Sequence, residues 1–297
     1  MIRNLSLFSL ATLFAASCGG TTATTEDDAN GPRDMLVYAA GSDLESLLPP
    51  VSQSASDSAV AGAIYMPVQS VEFDCSLKRT TDGLAKTTEW NEDGTVIKMT
   101  LRDDIKWADG KPVTAHDIKF CYDMIGNKDV ASPRLSYLDR MKPDGAPKVI
   151  DDTHIEWHFT SAYDRDTQSA HGSLGAVPAH ILTGLDMKSI RSHKANKAPL
   201  PNGPFKLVDH KPTQGFALVP NENFTGKDSE KARLKRIQFK IVPEYNTRLL
   251  QLMSGDIDLM EGISVKDADR LKEESPNIRL VRRGYRFNGY IAWNLQK

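Results

Sequence analysis

Only three cysteines occur in 297 residues, at positions 18, 75 and 121, and none forms a Cys-x-x-Cys pair. This scarcity excludes a small disulfide-framed fold and a cysteine-rich metal site. An excess of one charge is also missing, since 37 Lys+Arg stand against 39 Asp+Glu for a net charge of -2. Residues 1–17 hold only Arg3, so the remainder carries 36 against 39, or -3. No electrostatic case for nucleic acid as a partner follows. Long apolar runs are absent too: the mean hydropathy is -0.41, and the one stretch near the start, Leu5 to Ala16, is too short to span a bilayer. A polytopic membrane protein is thereby excluded. The sequence contains no Gly-x-Ser-x-Gly elbow, no P-loop and no Gly-x-Gly-x-x-Gly. No clustered nucleophile, base or cofactor cradle stands out, so neither an enzyme nor a cofactor is expected.

What is there begins with an export signal. Residues 1–17 place Arg3 before the apolar run and close on small residues. Ala15-Ala16-Ser17-Cys18 resembles the bacterial lipobox, with Ala15 standing where an aliphatic residue is usual. Cleavage before a lipid-carrying Cys18 is the expectation, against ordinary cleavage beside an incidental cysteine. Residues 18–34 are polar and read as a tether that spaces a globular body from a membrane. The chain is expected to be exported to the periplasm or cell envelope. Cys75 and Cys121 could pair in that compartment, or Cys121 could be a small buried hydrophobe.

Beyond the tether, strand and helix periods interleave, which predicts a layered α/β fold. Strands are expected at 35–40, at 96–102 with Ile97, Met99 and Leu101 on one face, and at 153–160 with Ile155, Trp157 and Phe159 inward. A short strand should end at Trp107, and others fall at 204–208, 216–220, 238–242, 257–260, 278–281 and 290–293. Helices are expected at 58–65, after Thr114 with Ile118, Cys121, Tyr122 and Ile125 buried, at 246–254 with Leu249, Leu250 and Met253 buried, and from Ser264. His154, Glu156 and His158 share a strand face and could in principle hold a metal, but they read better as its solvent side. No metal site is expected.

The segment 101–125, LRDDIKWADGKPVTAHDIKFCYDMI, resembles the signature region of family 5 extracellular solute-binding proteins, the oligopeptide, dipeptide and nickel receptors of ABC importers. The matching residues are Leu101, Arg102, Trp107, Asp109, Gly110, Pro112, Thr114, Ala115 and Asp117. Other pieces follow in order: GSDLESLLPP at 41–50, ASPRLSYL at 131–138, Asn202-Gly203-Pro204-Phe205, Asn223-Phe224, and LLQLMSGDIDLMEGI at 249–263. The resemblance covers about residues 35–297.

It implies a periplasmic-binding-protein type II-like fold of cluster C. Residues 35–58 and 200–297 would form lobe I and residues 59–199 an inserted α/β subdomain, with the second lobe not in this chain. The implied function is that of a substrate-binding lipoprotein that captures peptides or related small solutes and delivers them to ABC importer permease subunits, held to the membrane through the lipid on Cys18. The alternative is a surface lipoprotein using the scaffold for adhesion or partner binding. Cleft positions implied by the resemblance are Gln53, Ser54, Tyr137, Met260, Glu261, Gly262 and Tyr290. Glu261 would suit an amine or a cation; packing is the plainer reading for Tyr137 and Tyr290, and solvation for Glu261.

Overall fold

In a computed structural model, residues 34–71, 79–80, 83–142, 147–162 and 174–281 are described. They fall in one compact unit. Two four-stranded sheets organise them. The first joins β1 (Met35–Ala40), β8 (Phe205–Lys211), β9 (Gly215–Pro220) and β10 (Arg236–Ile241) in the order β1-β10-β9-β8. β1 runs parallel to β10, with Ala40 opposite Ile241, while β9 is antiparallel to both of its neighbours. The second sheet is antiparallel, in the order β4 (Ala85–Trp90), β5 (Val96–Leu101), β7 (His154–His158), β6 (Lys148–Val149). A two-residue ladder pairs β2 (Ser70–Val71) with β3 (Arg79–Thr80).

The period-2 pattern acts as expected in the second sheet. Ile97, Met99 and Leu101 are buried on β5, as are Ile155 and Trp157 on β7, while Lys98 and His154 face out. Helix α1 (Ala55–Ile64) starts three residues earlier than its apolar pattern suggests, because Ser54 and Asp57 form a capping box: Asp57 N–H donates to Ser54 Oγ at 2.9 Å. Helix α2 (Ala115–Gly126) lays Ile118, Cys121, Tyr122 and Ile125 into the core, and Asp117 reaches back to accept from Thr114 N–H at 2.9 Å. Short helices α3 (Ala179–Leu182) and α4 (Lys194–Lys197) lie in the loop-rich stretch before β8. Helix α5 (Tyr245–Ser254) ends at Gly255 with φ 83°, the left-handed cap its sequence predicts. Helix α6 (Val265–Glu274) opens on Ser264, whose hydroxyl accepts from Asp267 N–H at 3.1 Å.

Four expectations are corrected. Leu250 is 64% exposed, and Leu252 is buried beside Leu249 instead, since a step of one residue turns a side chain about 100° around a helix. Residues 257–260 make only a parallel bridge, Tyr38 to Leu259. The Asp258 carboxylate takes the Val37 N–H at 2.8 Å, which a ladder would need. The stretch ending at Trp107 likewise forms a single bridge, Lys106 to Pro112. Residues 278–281 adopt no strand, and 290–293 lie outside the described residues.

One core runs through the second sheet, α1 and α2 to Phe216 and Leu218 of β9. A smaller one, built on Ala39, Leu249, Leu252, Ile257, Met260 and Leu271, lies where α5 and α6 cover β1.

Candidate functional site

The carboxyl ends of β1, β10 and the bridged segment 257–260 share one edge of the first sheet, because all three are parallel. Open α/β sheets bind ligands at such an edge, since the chain leaves each strand there through a loop that is free to vary. Three loops leave it here: Gly41–Ser54 towards α1, Val242–Glu244 into α5, and Glu261–Ile263 into α6. Each following helix carries a side-chain cap, from Ser54, Glu244 and Ser264 respectively. Their amino ends therefore direct positive helix ends to this edge.

Tyr38 and Glu261 meet here, with the phenol donating to Glu261 Oε2 at 3.4 Å. Burial is the largest cause that raises the Tyr38 pKa; the Glu261 charge and hydrogen bond add to it, and Arg248 opposes it. Both charges thus act on one phenol. Arg248 Nη1 donates to the carbonyls of Val242 at 2.6 Å and Pro243 at 2.8 Å. It also lies 3.5 Å from where a Cβ on Gly41 would stand, which sets the guanidinium beside the start of the 41–54 loop. Ser42 Oγ and Ser56 Oγ are 3.3 Å apart. The edge can therefore offer an exposed carboxylate, a guanidinium and a set of hydroxyls to a polar solute.

Of the residues expected from sequence, Glu261 is exposed at this edge and Gly262 turns the chain beside it with φ 73°. Met260 points the other way, its side chain buried in the smaller core. Ser54 is the cap of α1, and Gln53 next to it is exposed. Tyr137, on the 3-10 turn Leu135–Leu138, is half-buried against the main core. The Gln53 and Tyr137 segments are joined by Arg134, whose Nη1 donates to Ser52 O at 2.5 Å. Tyr290, Cys18 and Cys75 lie outside the described residues. Cys121 is a buried free thiol, and burial pushes its pKa up to about 12 against a small opposing effect from Arg134. Tyr38, Arg248, Ser42 and Ser56 were not singled out in the sequence; Tyr38 sits mid-strand and Arg248 mid-helix, where local pattern carries no functional signal.

The 101–125 signature is scaffold. Asp117 accepts from Trp107 Nε1 at 3.2 Å and from Ala179 N–H at 3.0 Å, and so ties the turn, α2 and α3 together. Asp109 pairs with His180 at 2.8 Å. An open cavity of about 430 Å³ lies beside this turn, between Lys106–Gly110 and Glu222–Thr225, well apart in the fold from the strand edge above. It is the larger of two concavities that share Glu222 and Phe224, and two of its charged groups are engaged, Glu222 with Lys206 and Asp109 with His180. We place the candidate site at the strand edge because the carboxyl ends of the parallel strands and three capped helix starts converge there. Among the described residues no three His, Cys, Asp or Glu side chains come together in a metal-binding group. His154 pairs with Asp151 and His158 with Glu156.

Comparison with known proteins gives a concordant result. The family model described as bacterial extracellular solute-binding proteins, family 5 Middle, matches residues 80–297. The chain is 28% identical to the probable D,D-dipeptide-binding periplasmic protein DdpA of Escherichia coli, over 82% of this chain and 46% of that protein. It is also 28% identical to the nickel-binding periplasmic protein of Escherichia coli, over 77% of this chain and 43% of the other. Among solved structures, the Haemophilus influenzae OppA complex with RPPGFSPFR superposes with a TM-score of 0.71 at 23% identity, covering 82% of this chain and 49% of that one. The chain thus spans about half the length of the relatives it matches. The fold they share is the type II periplasmic-binding one expected above.

Proposed function

This chain belongs to the bacterial extracellular solute-binding proteins of family 5, and we propose that it supplies one wall of a peptide-binding cleft in a receptor for an ABC importer. The observation that carries this reading is the meeting of Glu261 and Tyr38 at the carboxyl edge of three parallel strands. Residues 35–58 and 200–297 are taken as lobe I, and 59–199 as an inserted subdomain. That division is supported by the two sheets, one drawn from 35–40 and 205–241 and the other from 85–158. In this reading the Glu261 carboxylate holds an amine of the ligand. The lipid on Cys18 keeps the body near the membrane, where a permease takes over the cargo.

A micromolar ligand corresponds to about 8 kcal/mol, enough to raise apparent stability whenever ligand exceeds its Kd. The test is a thermal-shift screen of the protein as its gene encodes it, against peptide pools and Ni²⁺ in separate arms. A shift with peptides that Glu261→Gln weakens supports the proposal. Stabilisation by Ni²⁺ alone overturns the peptide class, and no shift in any arm favours the adhesion alternative. Metabolic labelling with a fatty acid, lost in Cys18→Ala, tests the anchor.

A further inference from the structure

We propose that Arg134 is a positioning residue of this wall, one that aims Gln53 and holds it in register with Tyr137; the inference rests on the peptide-receptor reading. The segment Leu44–Ser54 has no regular secondary structure, yet Leu44, Leu47, Leu48 and Val51 are buried in the main core. Its backbone groups must therefore find partners elsewhere. Side chains from far along the chain provide them. Asn196 Oδ1 accepts from Leu47 and Leu48 N–H, and Lys197 Nζ donates to Glu45 O at 2.6 Å.

The last three carbonyls before Gln53 are held one by one. Ser132 Oγ donates to Pro50 O at 2.6 Å, Arg191 Nη1 to Val51 O at 3.0 Å, and Arg134 Nη1 to Ser52 O at 2.5 Å. The Ser52 carbonyl lies in the same rigid peptide plane as the Gln53 nitrogen, so fixing one sets the direction in which Gln53 leaves the chain. Arg134 directly precedes the turn Leu135–Leu138 that bears Tyr137. One guanidinium thereby locks two candidate ligand contacts to each other.

Two further observations separate this from ordinary loop packing. Ala131, a non-glycine residue, is held at φ 48°, and its carbonyl accepts from Arg191 Nη2 at 3.0 Å. Backbone of this kind persists only where its surroundings over-determine it, and such places cluster at binding sites. Gln53, the residue all this order leads to, is exposed, and its amide bonds to no described residue. The order is spent on a side chain that is left open to a ligand.

The test uses Arg134→Met and Arg134→Lys in the protein as its gene encodes it. Three measurements are made: peptide affinity by calorimetry, urea midpoint, and amide exchange over residues 51–54. Arg134→Met is expected to weaken peptide binding roughly tenfold, the factor set by 1.4 kcal/mol, and to speed exchange at 52–54. Lysine, with the charge but not the planar fork, should recover part of both. Should the Met variant fail to fold, the Lys variant alone carries the comparison. A lower urea midpoint with unchanged affinity, or unchanged exchange at 52–54, overturns the proposal. Failure of the unmodified protein to bind any peptide overturns the receptor reading instead, and exchange then decides whether Arg134 positions the segment at all.

Discussion

Arg102 and Glu230, 128 residues apart in the chain, meet in an ion pair of 2.7 Å in which the side chains are only 7% and 8% exposed. The same guanidinium holds Asp104 through two bonds, at 2.9 and 2.7 Å. It thus pins the end of the antiparallel sheet to the chain that returns towards β10. Taking one partner away leaves the other charge out of water and uncompensated. Arg102→Met should therefore cost roughly 3 kcal/mol of unfolding free energy. Because two apolar partners need no such compensation, Arg102→Met with Glu230→Leu should be more stable than Arg102→Met alone. Urea denaturation of the three proteins checks the order.

Asn196 is wholly buried and serves two backbone donors at once, Leu47 N–H at 2.9 Å and Leu48 N–H at 3.0 Å. Alanine there strands both. At about 1–3 kcal/mol for each unsatisfied buried group, Asn196→Ala should destabilise the protein by roughly 2–6 kcal/mol. Amide exchange at Leu47 and Leu48 should accelerate before the protein unfolds. Unchanged exchange at those two amides would show that another acceptor replaces the Asn196 carbonyl.

Two glycines should respond with opposite signs. A Cβ on Gly203 would stand 2.7 Å from the Ile64 carbonyl oxygen, a backbone atom that cannot swing away, so Gly203→Ala should cost about 1–3 kcal/mol. Gly62 lies in α1 with nothing within 4 Å of its Cβ position, and Gly62→Ala should add about 0.5–1 kcal/mol by helix propensity. Thermal midpoints of the two variants distinguish close packing from mere conformational freedom.

The Asp43 carboxylate gives acid sensitivity at the start of the 41–54 loop. Burial by itself would raise its pKa, but bonds from Thr213 N–H, the His210 ring and Leu44 N–H outweigh burial and hold it below the usual value. A carboxyl depressed in the folded state binds its proton more readily when unfolded. Its contribution is therefore present above an unfolded pKa of about 3.9 and is lost as pH falls through the lower folded value. Asp43→Asn should be less stable than the unmodified protein at pH 5–7. The gap should narrow below about pH 4, as urea midpoints across that range would report.

How much of this was legible differs by element. Ile97, Met99 and Leu101 announce their face because a strand repeats every two residues, and the buried stripe of α2 does the same with the helical repeat. The segment 257–260 reads as a strand by the same rule, yet Asp258 uses its own carboxylate on Val37 N–H and interrupts the ladder. Side-chain competition for a backbone group is not a periodic signal. Leu250 failed for a related reason: three apolar residues in one helical turn cannot all face one core, and the neighbouring elements chose Leu249 and Leu252. In the candidate site, Glu261 and Gln53 were reached through family resemblance, whereas Tyr38 and Arg248 acquire meaning only from what stands beside them.

The sequence by itself determined the α/β alternation, the helix starts after Thr114 and at Ser264, and the family, because each of these is written in residues close together along the chain. The tertiary structure alone decided which charges share an edge. Tyr38 finds Glu261 across 223 positions, and Ser52 finds Arg134 across 82. Such meetings are fixed by the parallel pairing of β1 and by the packing of residues 132–134 on the 44–54 loop, and no local pattern encodes either one.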